Sequence, residues 1–549
     1  MSDTSRAQVD CLIIGFNEGR FEDYTELVRA AGEESGSFRD LRLAFVTYRG
    51  RPHRALDLLN ALREEHRPGL PATLTNVDFL APAVLILGSR LHADGFTFDY
   101  VNLFQRGRQQ LMTKLRGGRC RAVAITTTFY IHADPVREIV SAVREGSPDT
   151  VIIIGGPYIQ NQFQQSGEDR PDDLFDYLGG DIYVITREGE ATLSEVMRSL
   201  KNQSGLSQVP NLAIRAADGT FHYTEQVPES NSLVTGKPDY TLFPASEYGR
   251  FLATRTAKSC PFHCAFCGFP ARAGKYTYLP IEEIGTELDH IAEIGTIDTL
   301  TFIDDTFNVP KRRFESILGL MIERKYPFKW NCFYRSDYGN ESIIARMREA
   351  GCEGVFLGVE SGSDSILESM QKTARRHDYM RAMGDFRKYG ISTYASLIVG
   401  FPGETADTVM ETLSLLDEGR PEYYRAQLWY CDPATPIWQQ RDRYSIEGQA
   451  FNWRHSTMDS DTAADFVEHF FWNVKESTWL PQWGFEQWSI FYLQRQGMSY
   501  EGVKRYVTLF NALVREQLID PGADAVSSPL IGELRALSSF ASKNRSEEA

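Results

Sequence analysis

The 549-residue sequence predicts an α/β protein: two parallel-sheet domains in series and a mainly helical third region. Three observations carry this. Short apolar runs such as "CLIIGF" and "TVIIIGG" alternate with helix-length segments over residues 10–200, as in a doubly wound, Rossmann-like sheet covered on both faces. A second alternation, 251–435, holds about six strand–helix units, too few for a closed eight-fold barrel and suited to a partial (β/α)6 barrel of TIM type. From 436 to about 520 the pattern turns helical and aromatic, with Trp438, Trp453, Trp472, Trp479, Trp483 and Trp488.

In order, the first domain (1–201) reads as strand "CLIIGF", helix 79–95, strand 96–104, helix 105–116, strand 120–130, helix 134–145, strand 150–156, strand 181–186 and helix 189–201. Residues 202–250 are polar and turn-rich and read as a linker. The second domain (251–435) reads as strand "FLATRTA", helix 281–294, strand 299–305, helix 311–325, strand 328–335, helix 341–350 and strand 354–361. Helices 363–371 and 376–389, strand 392–402, helix 405–418 and strand 423–431 complete it. Region 436–549 is either a helical cap packed with large side chains or a lid over the barrel mouth. Its tail, "SSFASKNRSEEA", reads as disordered.

Composition excludes several classes. The mean hydropathy is −0.33, and no window reaches the roughly 18 apolar residues of a membrane span. The start is polar and "CLIIGF" is too short for a signal-peptide core, so a cytoplasmic protein without membrane contact is expected. A net charge of −16 argues against a nucleic-acid partner. Eight cysteines without an export signal point to reduced thiols or metal ligands.

Three of those cysteines, Cys260, Cys264 and Cys267, crowd into "CPFHCAFC" directly after the first strand of the second domain. That is the strand end where barrel enzymes place their chemistry. A zinc site would need a fourth ligand, and His263, inside the motif, has little room to close the same tetrahedron. A [4Fe–4S] cluster on three thiolates leaves one iron open to a substrate.

"CPFHCAFC" resembles the signature of the radical S-adenosylmethionine (SAM) superfamily, and the resemblance runs from 251 to about 435. It implies a cluster on the three cysteines and SAM near Phe266 of the motif, Asp304 and Asp305 in "DDT", Arg335, Glu360, and Gly400 and Pro402 in "IVGFPGET". Carboxylates would meet the SAM ammonium, Arg335 a carboxylate or diol, and the glycines at 400 and 403 would let backbone approach a flat ring. Arg335 and Glu360 could instead form a structural ion pair within the barrel. The order and spacing match the branch containing the methylthiotransferases.

The first domain resembles the cobalamin-binding domain of B12-dependent radical SAM enzymes. The matching pieces are "DCLIIGFNE", "VAITTTFY", "IIIGGPYIQN" and "REGE". The resemblance implies cobalamin contacts at Thr126, Thr127, Gly155, Gly156, Pro157, Glu188 and Gly189, although Gly-Gly-Pro could be a plain strand-to-helix turn. The D-x-H-x-x-G triplet of many cobalamin proteins is missing; His53, His66 and His92 do not form it, so cobalt would lack a histidine below. Within the class B methyltransferase type, the pieces are most similar to the group named for the P-methyltransferase of phosphinothricin-tripeptide biosynthesis.

The resemblance implies a cobalamin-dependent radical SAM methyltransferase. One SAM would methylate cobalamin, and a second would generate a 5′-deoxyadenosyl radical. That radical would activate an unreactive carbon or a phosphinate phosphorus of a small molecule or small peptide, in natural-product or antibiotic biosynthesis. An external one-electron reductant of flavodoxin or ferredoxin type is implied. The alternative is a cyclisation, ring contraction or rearrangement with the same cofactors. Methylthiolation would need three more cysteines upstream, where only Cys11 and Cys120 occur. A non-catalytic cobalamin binder sits badly with an intact cysteine motif. Cys332 and Cys352 are expected to be packing residues. Cys431 and Tyr430, with Asp432, close the last strand and are candidates for the catalytic side.

Overall fold

The computed structural model describes residues 9–66, 73–77, 79–116, 120–229 and 231–540. The chain packs as two units: Met1–Arg20 with Leu80–Glu247, and Phe21–Phe79 with Tyr248–Ala549.

The first unit is a seven-stranded sheet. Its strands are β1 (Val9–Phe16), β2 (Phe98–Leu103), β3 (Cys120–Thr126), β4 (Val151–Gly155), β5 (Ile182–Val184), β6 (Leu212–Arg215) and β7 (Phe221–Tyr223). They lie side by side in the order β2-β1-β3-β4-β5-β6-β7. The first five are parallel. β1 is buried on both faces from Asp10 to Gly15, which is why it reads as a continuous apolar run rather than an alternation. Leu12, Ile14, Val123, Ile125, Ile152 and Ile154 form the core with Val136, Ile139 and Val143 of the helix Asp134–Gly146.

The expected linker differs. Residues 212–223 add β6 and β7 to the sheet edge in antiparallel fashion. Runs as short as "LAIR" and "FHY" carry too little periodicity to announce a strand. The expected first domain differs too, because residues 21–79 pack with the second unit. There the Arg425 guanidinium reaches Asp40 at 2.7 Å, and Tyr506 donates to the Ala55 carbonyl at 2.8 Å. Such long-range contacts leave no mark on local sequence.

The second unit is a half-barrel of seven parallel strands in sequence order: β8 (Phe251–Thr254), β9 (Thr299–Phe302), β10 (Lys329–Tyr334), β11 (Cys352–Glu360), β12 (Ser392–Val399), β13 (Tyr423–Leu428) and β14 (Thr478–Trp479). Six were expected. The seventh pairs through only Tyr423↔Thr478 and Tyr424↔Trp479, and it comes from the region read as helical. Alternation along β10 sorts the faces. Trp330 packs against Phe302 and Phe307 on the helix side, and Phe333 joins Phe356 and Tyr394 on the other.

The C-terminal region holds the helices Ser460–Asn473, Gln487–Arg495, Tyr500–Ile519 and Leu530–Ser538. It also holds a three-stranded antiparallel sheet over 447–459 that the helical reading did not include. Of the tail expected to be disordered, residues 541–549 lie outside the described residues. No described helix is long and apolar enough to cross a membrane.

Candidate functional site

The cysteine loop leaves the carboxyl end of β8 and is held on several sides. Ala265 donates its N–H to the Met370 carbonyl at 2.8 Å and accepts from Ile437 at 2.9 Å, while Cys267 N–H closes a turn on Cys264 at 3.0 Å. All three thiols are free; Cys264 is buried, and Cys260 and Cys267 are partly so. Burial pushes Cys260 up and Cys267 up to about 11, opposed by the backbone N–H groups of Phe262 and Phe269 aimed at the sulfurs. Among the described residues no group of three His, Cys, Asp or Glu side chains could hold a single metal ion. A cluster differs from a mononuclear site in that each thiolate takes a different iron, so its ligands stand further apart.

The two aspartates of "DDT" part company. Asp304 is fully buried and its carboxylate is engaged: it accepts from the N–H of Thr256 at 2.6 Å and of Ala257 at 3.0 Å, and from the Thr256 hydroxyl, with Arg313 at 3.8 Å. It stitches β9 to the approach of the cysteine loop. Asp305 is reached by solvent yet ringed by protein close to Cys260 and Cys267. Desolvation, helped by Asp304, pushes its carboxyl up to about 7.

Arg335 follows β10 and forks onto Asp337 at 3.1 and 3.0 Å, reaches the Thr373 hydroxyl at 2.8 Å, and lies 3.7 Å over the Phe262 ring. Burial works against its charge, but Asp337 outweighs it and holds the guanidinium's pKa up. Glu360, after an irregularity in the β11 ladder, sits at φ +65° and pairs with buried Lys372 at 3.3 Å. The Lys372 ammonium also donates to the Gly358 carbonyl and lies 5.9 Å from the Phe266 ring. Both ion pairs thus brace the cysteine loop. Sequence reasoning missed Lys372 and Asp337, whose partners come from other elements.

The flat ring at Gly400 belongs to the protein. With φ at +91°, a Cβ there would overlap the Trp453 indole, 2.8 Å from its Cζ2, and lie 2.7 Å from Ala463 Cβ. Trp453 Nε1 donates to the Trp429 carbonyl at 2.8 Å and its ring stacks on His455. Glu404, unflagged by the sequence reading, accepts from Gly400 N–H at 2.6 Å, and burial pushes its carboxyl up to about 8. Pro402 is buried in the same turn.

Cys431 and Tyr430 separate. Cys431 is buried in a bridge with Ala450, and burial together with Asp432 pushes its thiol up to about 11, so the structure gives it a packing role. Tyr430 is 48% exposed and packs edge-on against Phe451. Asp432 pairs with Arg272, tying the end of β13 to the helix Phe269–Ala273 that follows the cysteines.

In the first unit, the expected cobalamin residues gather at the carboxyl ends of β3–β5, where doubly wound sheets bind ligands. Thr127 donates both its N–H and its hydroxyl to the Gly155 carbonyl, at 2.8 and 2.9 Å. Gly156, at φ +116°, sits so close that a Cβ would fall 2.9 Å from Thr127 N. Thr126 meets the Thr128 hydroxyl at 3.1 Å, and Pro157 opens the helix Pro157–Ser166. Glu188 accepts from Asn231 N–H, while Gly189 N–H is capped by Glu229 at 3.2 Å. The close approach at Gly156 is therefore internal. Two features nonetheless fit a large flat cofactor with amide arms: a buried, unpartnered Gln160 Oε1 one turn into that helix, and exposed Phe129 and Ile131 beyond β3.

Residues 255–416, which lie in this half-barrel, match the family model described as the Radical SAM superfamily. Solved structures of cobalamin-dependent radical SAM enzymes have a similar fold. TsrM from Kitasatospora setae, a radical SAM methyltransferase solved with cobalamin and a [4Fe–4S] cluster bound, aligns with a TM-score of 0.53 at 20% identity, over 65% of this chain and 74% of its own. The cobalamin-dependent S-adenosylmethionine radical enzyme OxsB, with aqua-cobalamin bound, aligns at 0.56 and 13% identity, over 89% and 81%. In sequence, the chain is 26% identical over 354 residues to PH0819 of Pyrococcus horikoshii, named an uncharacterized methyltransferase, covering 61% of this chain and 72% of that one. Across three curated relatives it spans 72%, 47% and 65% of their lengths.

Proposed function

We propose that this protein is a cobalamin-dependent radical SAM methyltransferase acting on a small molecule, with electrons from an external one-electron reductant. The observation that carries the reading is the braced loop of three free thiols at the carboxyl end of β8, inside a seven-stranded parallel half-barrel. Cys260, Cys264 and Cys267 would hold the cluster; Asp305, Glu360 with Lys372, and Phe266 would border SAM; Gln160 and the Gly155–Pro157 turn would border cobalamin. When bound, the cluster and SAM supply a reductively triggered radical, and cobalamin supplies a methyl group. The chain's part is to orient and to exclude water.

The mouth also speaks to substrate. Three cations beside the cysteine loop each already face a carboxylate: Arg272 with Asp432, Arg335 with Asp337, and Lys372 with Glu360. A phosphinate would have to compete with those carboxylates for them. On the inner face, Gln427, Gln482 and the Tyr394 hydroxyl form a neutral chain with two 2.6 Å bonds. Gln482 and its neighbour Trp483 hold it there at φ +57° and +50°, a strained pair of a kind that gathers at functional sites. A carbon centre in a molecule with uncharged polar groups suits this surface better than a phosphorus.

The test is anaerobic reconstitution with iron, sulfide and hydroxocobalamin, followed by metal analysis and product counting with candidate substrates. Equimolar S-adenosylhomocysteine and 5′-deoxyadenosine are expected. 5′-Deoxyadenosine alone would replace methyl transfer by a cyclisation or rearrangement. A cluster without bound cobalamin would overturn the reading of the first unit.

A further inference from the structure

We propose that the amino-terminal end of the half-barrel carries a second binding site, for a phosphorylated small molecule. A cavity of about 610 Å³ opens there, at the opposite end of the strands from the cysteine loop. Each of its three carboxylates already has a cation: Asp298 has Arg250, Glu353 has Arg495 at 2.5 Å, and Glu422 has Lys504. That leaves Lys329, Arg348 and Arg387 on the wall. Among the described residues none of these three has a carboxylate within 4.0 Å, though Lys329 lies close enough to Glu353 to favour its ionised form.

Arg348 and Arg387 come from different helices, Glu341–Glu349 and Arg376–Lys388. Each is anchored through one guanidinium nitrogen to backbone carbonyl: Arg348 to Gly390 at 3.4 Å, and Arg387 to Gly419 at 2.8 Å and Arg420 at 3.3 Å. Capping a neighbouring chain end accounts for that nitrogen alone. The remainder of each fork is pre-oriented, which lowers the entropy lost on meeting an anion. Three like charges around one cavity repel, and in a chain of net charge −16 this concentration of positive charge is local.

A phosphate answers the arrangement better than a carboxylate, because it carries up to two charges and accepts guanidinium forks bidentately. Phe491 and Ile391 add an apolar wall for an organic body. The Ser392 and Tyr500 hydroxyls, 3.0 Å apart, add a neutral polar pair.

The probe is inorganic pyrophosphate, titrated calorimetrically into the full-length reconstituted protein. Saturable binding is expected, weakened about tenfold in Arg348→Gln/Arg387→Gln, as for the loss of exposed charge-assisted bonds. Raising salt from about 0.05 to about 0.2 M should weaken it as well. Lys329→Gln, on a separate element, should weaken binding independently. All three residues are exposed, and cluster content and SAM cleavage should stay at wild-type levels in every variant. Absence of saturable heat would overturn the proposal, as would equal binding by wild type and the double variant.

Discussion

Replacing Gly400 by alanine distinguishes two readings of one residue. If the glycine serves Trp453, as the packing shows, Gly400→Ala incurs two penalties within the protein. A Cβ at φ +91° costs about 1–2 kcal/mol in backbone strain. Overlap with the indole and with Ala463 Cβ, at 2.7 Å, adds about 1–3 kcal/mol, because a packed core yields little. The expected loss is about 3 kcal/mol. It is measured by urea unfolding of the cluster-free protein, followed by tryptophan fluorescence. Trp453→Leu in the same chain opens the space, so the double variant should lose at least about 1 kcal/mol less than the two single losses added. The reasoning fails if Gly400→Ala leaves stability within about 0.5 kcal/mol while SAM affinity drops about tenfold. The glycine would then be serving the adenine.

Three further outcomes are expected. Glu404 has its carboxyl raised by burial from 4.5 to about 8, so the folded state keeps a proton that the unfolded chain releases. Its contribution is complete below about pH 4.5 and lost as pH rises to 8; wild type should therefore lose about 2–4 kcal/mol relative to Glu404→Gln between about pH 5 and 8, and parallel pH–stability curves would contradict this. Lys372→Met strands Glu360 inside the protein and should cost about 3 kcal/mol, while adding Glu360→Gln should recover most of it; a double-mutant cycle showing no coupling would remove the pair from the argument. Alanine at Cys260, Cys264 or Cys267 should abolish cluster iron without unfolding the half-barrel, read by iron content and circular dichroism. SAM cleavage that survived those changes would sink the radical reading.

Much of this was legible along the chain. The apolar runs of β1, β3 and β4 are continuous because both sheet faces are covered, and the three-cysteine motif is local, so spacing alone exposes it. What stayed hidden has partners far away in sequence. Asp304 looks like a ligand until Thr256 and Ala257 are seen to occupy it. Lys372 looks like a surface lysine until it closes on Glu360. Gly156 and Gly400 look along the chain like places for a cofactor to come close, whereas Thr127 and Trp453, from elsewhere in the chain, crowd them in the fold.

By itself, then, the sequence determined the α/β class, the two alternating stretches and the thiol loop, all of which depend on periodicity or spacing within one element. Only the tertiary structure decided that residues 21–79 pack with the half-barrel, that β14 extends it, and which charged side chains near the cysteines are already neutralised. Those are matters of three-dimensional proximity, and burial makes proximity count: a carboxylate or ammonium inside the protein must find a partner wherever the fold supplies one.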